Sequence, residues 1–231
     1  EVGTPSTRSL IEAEAKRNKY VLVPEPAHSD GGATIGRYAI ARFNLHTVGR
    51  PSHAGARLGD GKSAIAHMAR KVLEIEAMSG PDCTFSIGVI HAGQWVNCVS
   101  SHCDAEALTM AKTQKDLDDG IARIMALQGD ENGVEFHITR GVTRPVWEPN
   151  QPGTMALFDI AKDICNELGF DLIGRSQGGG SDGNFTGYLG IPTLDSLGVR
   201  GEGLHTLTEH IEVSSLVERA KLMSALIMRL E

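Results

Sequence analysis

One kind of chemistry can be weighed from residue types and spacing. Ser181 lies in Gly179-Gly-Ser-Asp-Gly183, a G-x-S-x-G match, and Asp195 and His205 follow it in the chain order of a hydrolase triad. That elbow needs an apolar strand running straight into the serine, whereas Gly174-Arg-Ser-Gln-Gly178 precedes it, and acid and base are only ten positions apart. The same glycine run lacks the lysine of a P-loop, which argues against nucleotide binding and leaves a loop whose backbone packs closely against a ligand. Glu1, Glu25 and His205 also stand apart. Each lies at a turn bordered by glycine or proline rather than inside a periodic face, but spacing alone does not justify a metal site. Taken singly, each is an ordinary surface or structural residue.

The elements that must position these residues follow from periodicity. A short helix is expected near Arg8–Lys16, then a strand at Tyr20–Val23 broken by Pro24 and Pro26, with Glu25 at its end. Alternation from Arg37 to Val48 predicts a strand, and Ile65, Met68, Ala69, Val72 and Leu73 mark one helical face. Strands at Cys83–His91 and His102–Ala111 follow. Next come a helix presenting Leu117, Ile121, Ile124 and Met125, and a strand through Val134, Phe136 and Ile138. This βαββαβ order is the split ferredoxin-like unit, so 37–146 reads as a domain inserted between 1–36 and 147–231.

The outer part resumes with a helix through Leu157, Ile160, Ala161, Ile164 and Leu168, closed by Gly169. Strands are expected at Asp171–Ile173 and Ile191–Asp195. Ser215-Leu-Val-Glu218 reads as a capping box opening a last helix with Leu216, Ala220, Met223, Ile227 and Leu230 on one side. Helix alternating with strand makes the outer parts one α/β layered domain.

Composition sets the boundaries. The 231 residues carry 41% hydrophobic and 22% charged side chains, and no run approaches the ~20 apolar residues of a membrane span. Twenty-two Lys and Arg against 29 Asp and Glu give a net charge of −7, which repels phosphate backbones, so neither nucleic acid nor membrane is expected as a partner. Four cysteines without CxxC spacing read as reduced thiols in a cytoplasmic setting. There is no initiator Met, basic n-region or apolar h-region at Glu1, which reads as processing or a cut from something longer.

Five motifs occur in order: Glu1-Val-Gly-Thr4, Val23-Pro-Glu-Pro26, Gly49-Arg-Pro-Ser-His-Ala-Gly55, Gly178-Gly-Gly-Ser-Asp-Gly183, and Ser196-Leu-Gly198 followed by Leu204-His-Thr206. Together they resemble the co-catalytic zinc metallopeptidase family of carboxypeptidase G, aminoacylase, acetylornithine deacetylase and succinyl-diaminopimelate desuccinylase. The resemblance implies a partial zinc-peptidase-like catalytic domain interrupted by an α+β lid and dimerisation domain. It implies Glu1, Glu25 and His205 as ligands of two zinc ions, with cobalt or manganese as substitutes, which polarise a carbonyl and activate water.

The family's His-x-Asp ligands and its general base would lie upstream of Glu1. The chain alone is therefore expected to be inactive, with partial or no metal occupancy. The resemblance further implies that His53 reaches a partner's active site as an oxyanion donor, that Asn97 holds the substrate, and that Arg144, with Arg140 as a rival, grips its carboxylate. Gly180 and Ser181 would contact substrate beside the metals. The family's Asp-x-Arg reads Leu108-Thr-Met110 here, so one expected cation is absent. The implied substrate is an N-acyl amino acid or peptide, hydrolysed by a homodimer paired through 37–146. A serine hydrolase using Ser181, Asp195 and His205 and a non-catalytic dimerisation module stand as alternatives.

Overall fold

The structure, a computed structural model, describes residues 4–230, so Glu1 and its expected ligand role lie outside the described residues. The chain divides into two compact units: one runs to Tyr38 and resumes at Pro145, and the other spans Ala39–Arg144.

The outer unit begins with α1 (Arg8–Ala15), β1 (Val21–Leu22) and β2 (Ala33–Arg37). The last of these was not foreseen, because all five of its residues are buried and no alternation marks it.

The inserted unit then runs β3 (Ala39–Val48), α2 (Ala64–Glu76), β4 (Cys83–Ala92), β5 (His102–Ala111), α3 (Gln114–Met125), β6 (Gly129–Glu131) and β7 (Val134–Arg144). Its antiparallel sheet has the order β4-β5-β3-β7-β6, the ferredoxin-like order with β6 added at one edge. Phe43, Leu45, Ala105, Ala107, Phe136 and Ile138 line the buried sheet face, and Met68, Ile75, Leu117 and Ile124 of the two helices are buried with them. The face expected for α2 is partly wrong: Ile65 and Leu73 are exposed, and His67 occupies the buried side with Met68 and Ile75.

On return the chain forms α4 (Pro152–Leu168), β8 (Gly174–Gln177), α5 (Gly183–Tyr188), β9 (Thr193–Leu194), the hairpin β10 (Gly201–Glu202) with β11 (His210–Ile211), and α6 (Ser215–Arg229). Pro152 opens α4, and Gly169 closes it as expected. The strand expected at Asp171–Ile173 falls instead at β8, because parallel pairing with β2 selects the register. Ala33, Ile35, Leu157, Phe158, Ala161, Ile164, Leu194, Leu222 and Leu226 form the core of this unit.

Two expectations for α6 fail. Its N-cap is Ser214 without a side-chain cap bond. Ser215 Oγ donates to the Glu212 carbonyl and accepts from Arg200 N–H, while Glu218 pairs with Arg200, so no capping box forms. The buried side is Ser215, Arg219, Leu222 and Leu226, leaving Leu216 and Ile227 exposed. No helix is long and apolar enough to cross a membrane among the described residues.

Candidate active site

Parallel pairing of β1 with β9 sets two loops side by side. Val23 N–H donates to Leu194 O at 2.8 Å, Leu197 N–H to Val23 O at 3.2 Å, Gly198 N–H to Glu25 O at 2.8 Å, and Ala27 N–H to Val199 O at 2.9 Å. The Glu25 peptide is thus held at both flanks while its side chain is exposed. Gly198 is required by close approach: a Cβ there would sit 2.6 Å from Pro24 O and 2.8 Å from Glu25 O.

Buried Arg219 fastens this arrangement from α6. Its Nη1 donates to Gly31 O at 2.8 Å, Nη2 to Ser196 O at 2.8 Å, and Nε to Gly198 O at 2.9 Å and Leu197 O at 3.3 Å. One guanidinium therefore satisfies carbonyls that the turn at 196–198 withholds from any ladder. Its burial lowers its pKa from the ordinary value.

His205 is carried on the exposed tip of the β10–β11 hairpin, in the left-handed region at φ 63°, with its N–H donating to Glu209 Oε2 at 3.2 Å. The hairpin follows directly on the 193–200 segment that tracks Glu25, so both donors sit on neighbouring loops of one unit. Carboxylate and imidazole are suitable in type for zinc. Among the described residues, however, no group of three or more His, Cys, Asp or Glu side chains is placed to hold a metal ion.

The glycine cluster has a different role from the one expected. Ser181 is buried, its Oγ donates to Asp195 Oδ2 and accepts from Gly183 N–H at 3.0 Å, and its own N–H donates to Asn184 Oδ1. Asp195 Oδ2 also receives Arg37 Nε at 2.6 Å, and Arg37 Nη1 reaches Gly179 O at 3.2 Å. A hydroxyl so committed does not offer itself to substrate, which corrects the contact expected of Ser181. The serine-hydrolase alternative fails on the same geometry, since the carboxylate binds the hydroxyl directly where a triad needs an imidazole between them. Gly183 is enforced here, since its Cβ would lie 2.8 Å from Asp195 Oδ2. Gly180, half-buried beside this anchor, remains available to pack backbone against a ligand. Asn184 Nδ2 adds bonds to Tyr38 O and Pro145 O, and Thr4 Oγ1 donates to Asp182 at 2.6 Å, tying Thr4 to the same loop.

In the inserted unit, His53 and Asn97 are brought together. His53 pairs with Cys98 across a short antiparallel bridge, and Ala54 N–H donates to Asn97 O at 2.9 Å. His53 Nδ1 accepts from Gly55 N–H and Ala56 N–H, both at 3.1 Å, which assigns the proton of the neutral ring to the exposed Nε2. Arg144 lies elsewhere: it is buried at the end of β7, opposite Ile40 at the start of β3, whereas His53 lies beyond Val48 at the other end. The eight residue steps from Ile40 to Val48 span roughly 26 Å. Arg140, the rival, is exposed opposite Phe43.

Arg37, Asn184 and Arg219 are the site-building residues missed in the sequence. The available signal was a charged residue closing an otherwise apolar β2, and an arginine in a helical face with Ser215, Leu222 and Leu226.

Residues 35–134 match the family model of the peptidase dimerisation domain. The chain is 28% identical over 239 aligned residues to carboxypeptidase G2 of Pseudomonas sp. (strain RS-16), a match covering 100% of this chain and 57% of that protein. Its fold superposes on aminopeptidase PepT of Bacillus cereus with a TM-score of 0.76 and 25% identity, covering 97% of this chain and 61% of that one. A tripeptidase of Staphylococcus aureus gives 0.75 at 23% identity, covering 95% and 61%. The chain therefore spans about three fifths of the length of these relatives. Residues 35–134 thus match a peptidase dimerisation domain, and the chain along its length is similar to carboxypeptidase G2 and to these peptidases.

Proposed function

We propose that the parent protein is a dimeric metal-dependent hydrolase that cleaves the amide between an acyl group and an amino acid bearing a free carboxylate. The observation that carries this reading is His53. Its two backbone bonds fix Nδ1 as acceptor, so a solvent-facing Nε2–H is presented as a donor for a carbonyl oxygen on which charge develops. Arg144 suits the substrate carboxylate, because a guanidinium pairs with both oxygens. Asn97 would orient the substrate amide beside His53.

Glu25 and His205 would hold divalent cations together with Glu1 and donors beyond these residues. Bound there, zinc would polarise the carbonyl and make water a stronger nucleophile. With only two of the expected donors among the described residues, turnover belongs to a polypeptide that supplies the others. The relatives named as peptidases support this class of reaction, and the identity of acyl group and amino acid is left to assay.

The dimer has support inside the inserted unit. β4 forms one edge of the sheet, Val89 and Ile90 on it are exposed, and the adjacent α2 turns Ile65 and Leu73 to solvent. An open strand edge beside an apolar helix face suits a second copy related by a two-fold axis. Because His53 and Arg144 sit at opposite ends of one lid sheet, one protomer does not bring both to a single small substrate. A dimer in which each lid lends His53 to its partner resolves this.

The test is hydrolysis of N-acyl amino acids by full-length protein before and after chelation. His205→Ala and Glu25→Ala should each remove bound zinc with the fold intact. Activity that survives metal removal but falls to a fluorophosphonate would overturn the reading.

A further inference from the structure

We infer that Trp95 selects the acyl group, favouring aromatic acyl substituents; the inference rests on the amide-hydrolysis reading above. Trp95 is 73% exposed and the neighbouring Val96 is fully exposed, although a large apolar side chain on a free surface loses the stabilisation of burial. The loop is nonetheless firmly held. Cys98 N–H closes a turn onto Trp95 O at 3.2 Å, Val99 N–H donates to Ser52 O at 2.9 Å, and Ala64 N–H to Ser100 O at 2.9 Å. The exposed indole is therefore presented by ordered backbone.

Position supplies the function. The turn sets Trp95 beside Cys98, and Cys98 is the bridge partner of His53, so the backbone of Trp95, Asn97 and His53 is gathered at one locus. A cleft of about 320 Å³ lies against this locus, with Trp95, Cys98, His91 and His102 in its wall. If His53 meets the scissile carbonyl and Arg144 at the far end of a lid holds the carboxylate, the substituent beyond the carbonyl on the His53 side is the acyl group. An aromatic acyl ring can stack or pack edge-on against indole, whereas an acetyl group offers little area.

The experiment uses full-length protein and its Trp95→Ala and Trp95→Phe variants with N-benzoylglycine and N-acetylglycine. Trp95→Ala should lower the benzoyl-to-acetyl ratio of kcat/KM by about tenfold, and Trp95→Phe should largely keep it. An unchanged ratio in Trp95→Ala overturns the inference. Fluorescence gives a second readout, because the other tryptophan, Trp147, is fully buried in the outer unit. N-benzoylglycine added to chelator-treated protein should shift the exposed indole emission to the blue, and the shift should vanish in Trp95→Phe. If wild-type protein hydrolyses neither compound, the reaction reading fails and the spectrum alone decides Trp95: a shift supports it, and no shift overturns it.

Discussion

Replacing Arg219 with Met keeps the length of the buried stem and removes every donor that closes the 196–198 turn. Three guanidinium nitrogens serve four carbonyls, those of Gly31, Ser196, Leu197 and Gly198. Each orphaned buried acceptor costs about 1–3 kcal/mol, so simple addition gives roughly 4–12 kcal/mol. Two effects reduce the sum. Carbonyls tolerate partial satisfaction better than N–H groups do, and relieving a buried guanidinium of its desolvation returns part of the loss. The expected net destabilisation is about 3–5 kcal/mol, a large share of the ~5–15 kcal/mol typical of a folded protein. Urea unfolding followed by the fluorescence of buried Trp147, in the same unit, reads it directly. Arg219→Lys should recover little, since one ammonium cannot reproduce the fork. A loss below about 1 kcal/mol at unchanged m-value would show that the turn carbonyls have other partners.

Leu73→Glu or Ile90→Lys, which place charge on the exposed α2 and β4 surface, should convert the proposed dimer to monomer in light scattering while far-ultraviolet circular dichroism is kept; a persistent dimer would move the interface elsewhere. Native protein should react with a thiol reagent at one fast site, Cys98, because Cys83, Cys103 and Cys165 are buried and desolvation pushes the Cys165 thiol up to about 11; two or more fast thiols would contradict the packing. Burial lowers the pKa of His28 and of His67, whose Nε2 is buried without a hydrogen-bond partner, so the unfolded chain binds protons more readily than the folded one. The stability this represents is complete above the ordinary value of 6.5 and is lost as pH falls through it toward the depressed folded values, so urea midpoints should drop from pH 7.5 to 5.5, and less so in His67→Gln.

What could be read in advance was whatever rests on local periodicity or on motif order. The βαββαβ pattern located the inserted sheet because its strands have one wet face, and alternation reports a wet face directly. β2 escaped because it is buried on both sides, and β8 because Gly174-Arg-Ser-Gln177 becomes a strand only through its pairing with β2. On α2 and α6 two overlapping sets of apolar residues are equally periodic, and tertiary contacts chose the set containing His67 and the set containing Arg219. Glu25, His205 and His53 were legible as turn residues within recognisable motifs. The Arg37–Asp195–Ser181 anchor was not, because Arg37 lies 158 positions before Asp195, where no spacing rule reaches, and the short Ser181–Asp195 spacing suggested a triad rather than a direct bond.

The two ends of the inserted unit also bear on how the molecule is made. Ile40 and Arg144 are cross-strand partners within that unit, and just outside it Arg37 and Trp147 exchange two backbone bonds of 3.0 Å. If the outer unit formed first, it would have to close a disordered loop of roughly 100 residues before those bonds gained anything. Once the insert has folded, the gap is only a few residues, and loop-closure entropy favours that order by roughly 2–3 kcal/mol. Folding of the inserted unit therefore brings the two chain segments of the outer unit within reach of each other, and pulsed hydrogen exchange should find β3, β5 and β7 protected before β1 and β9.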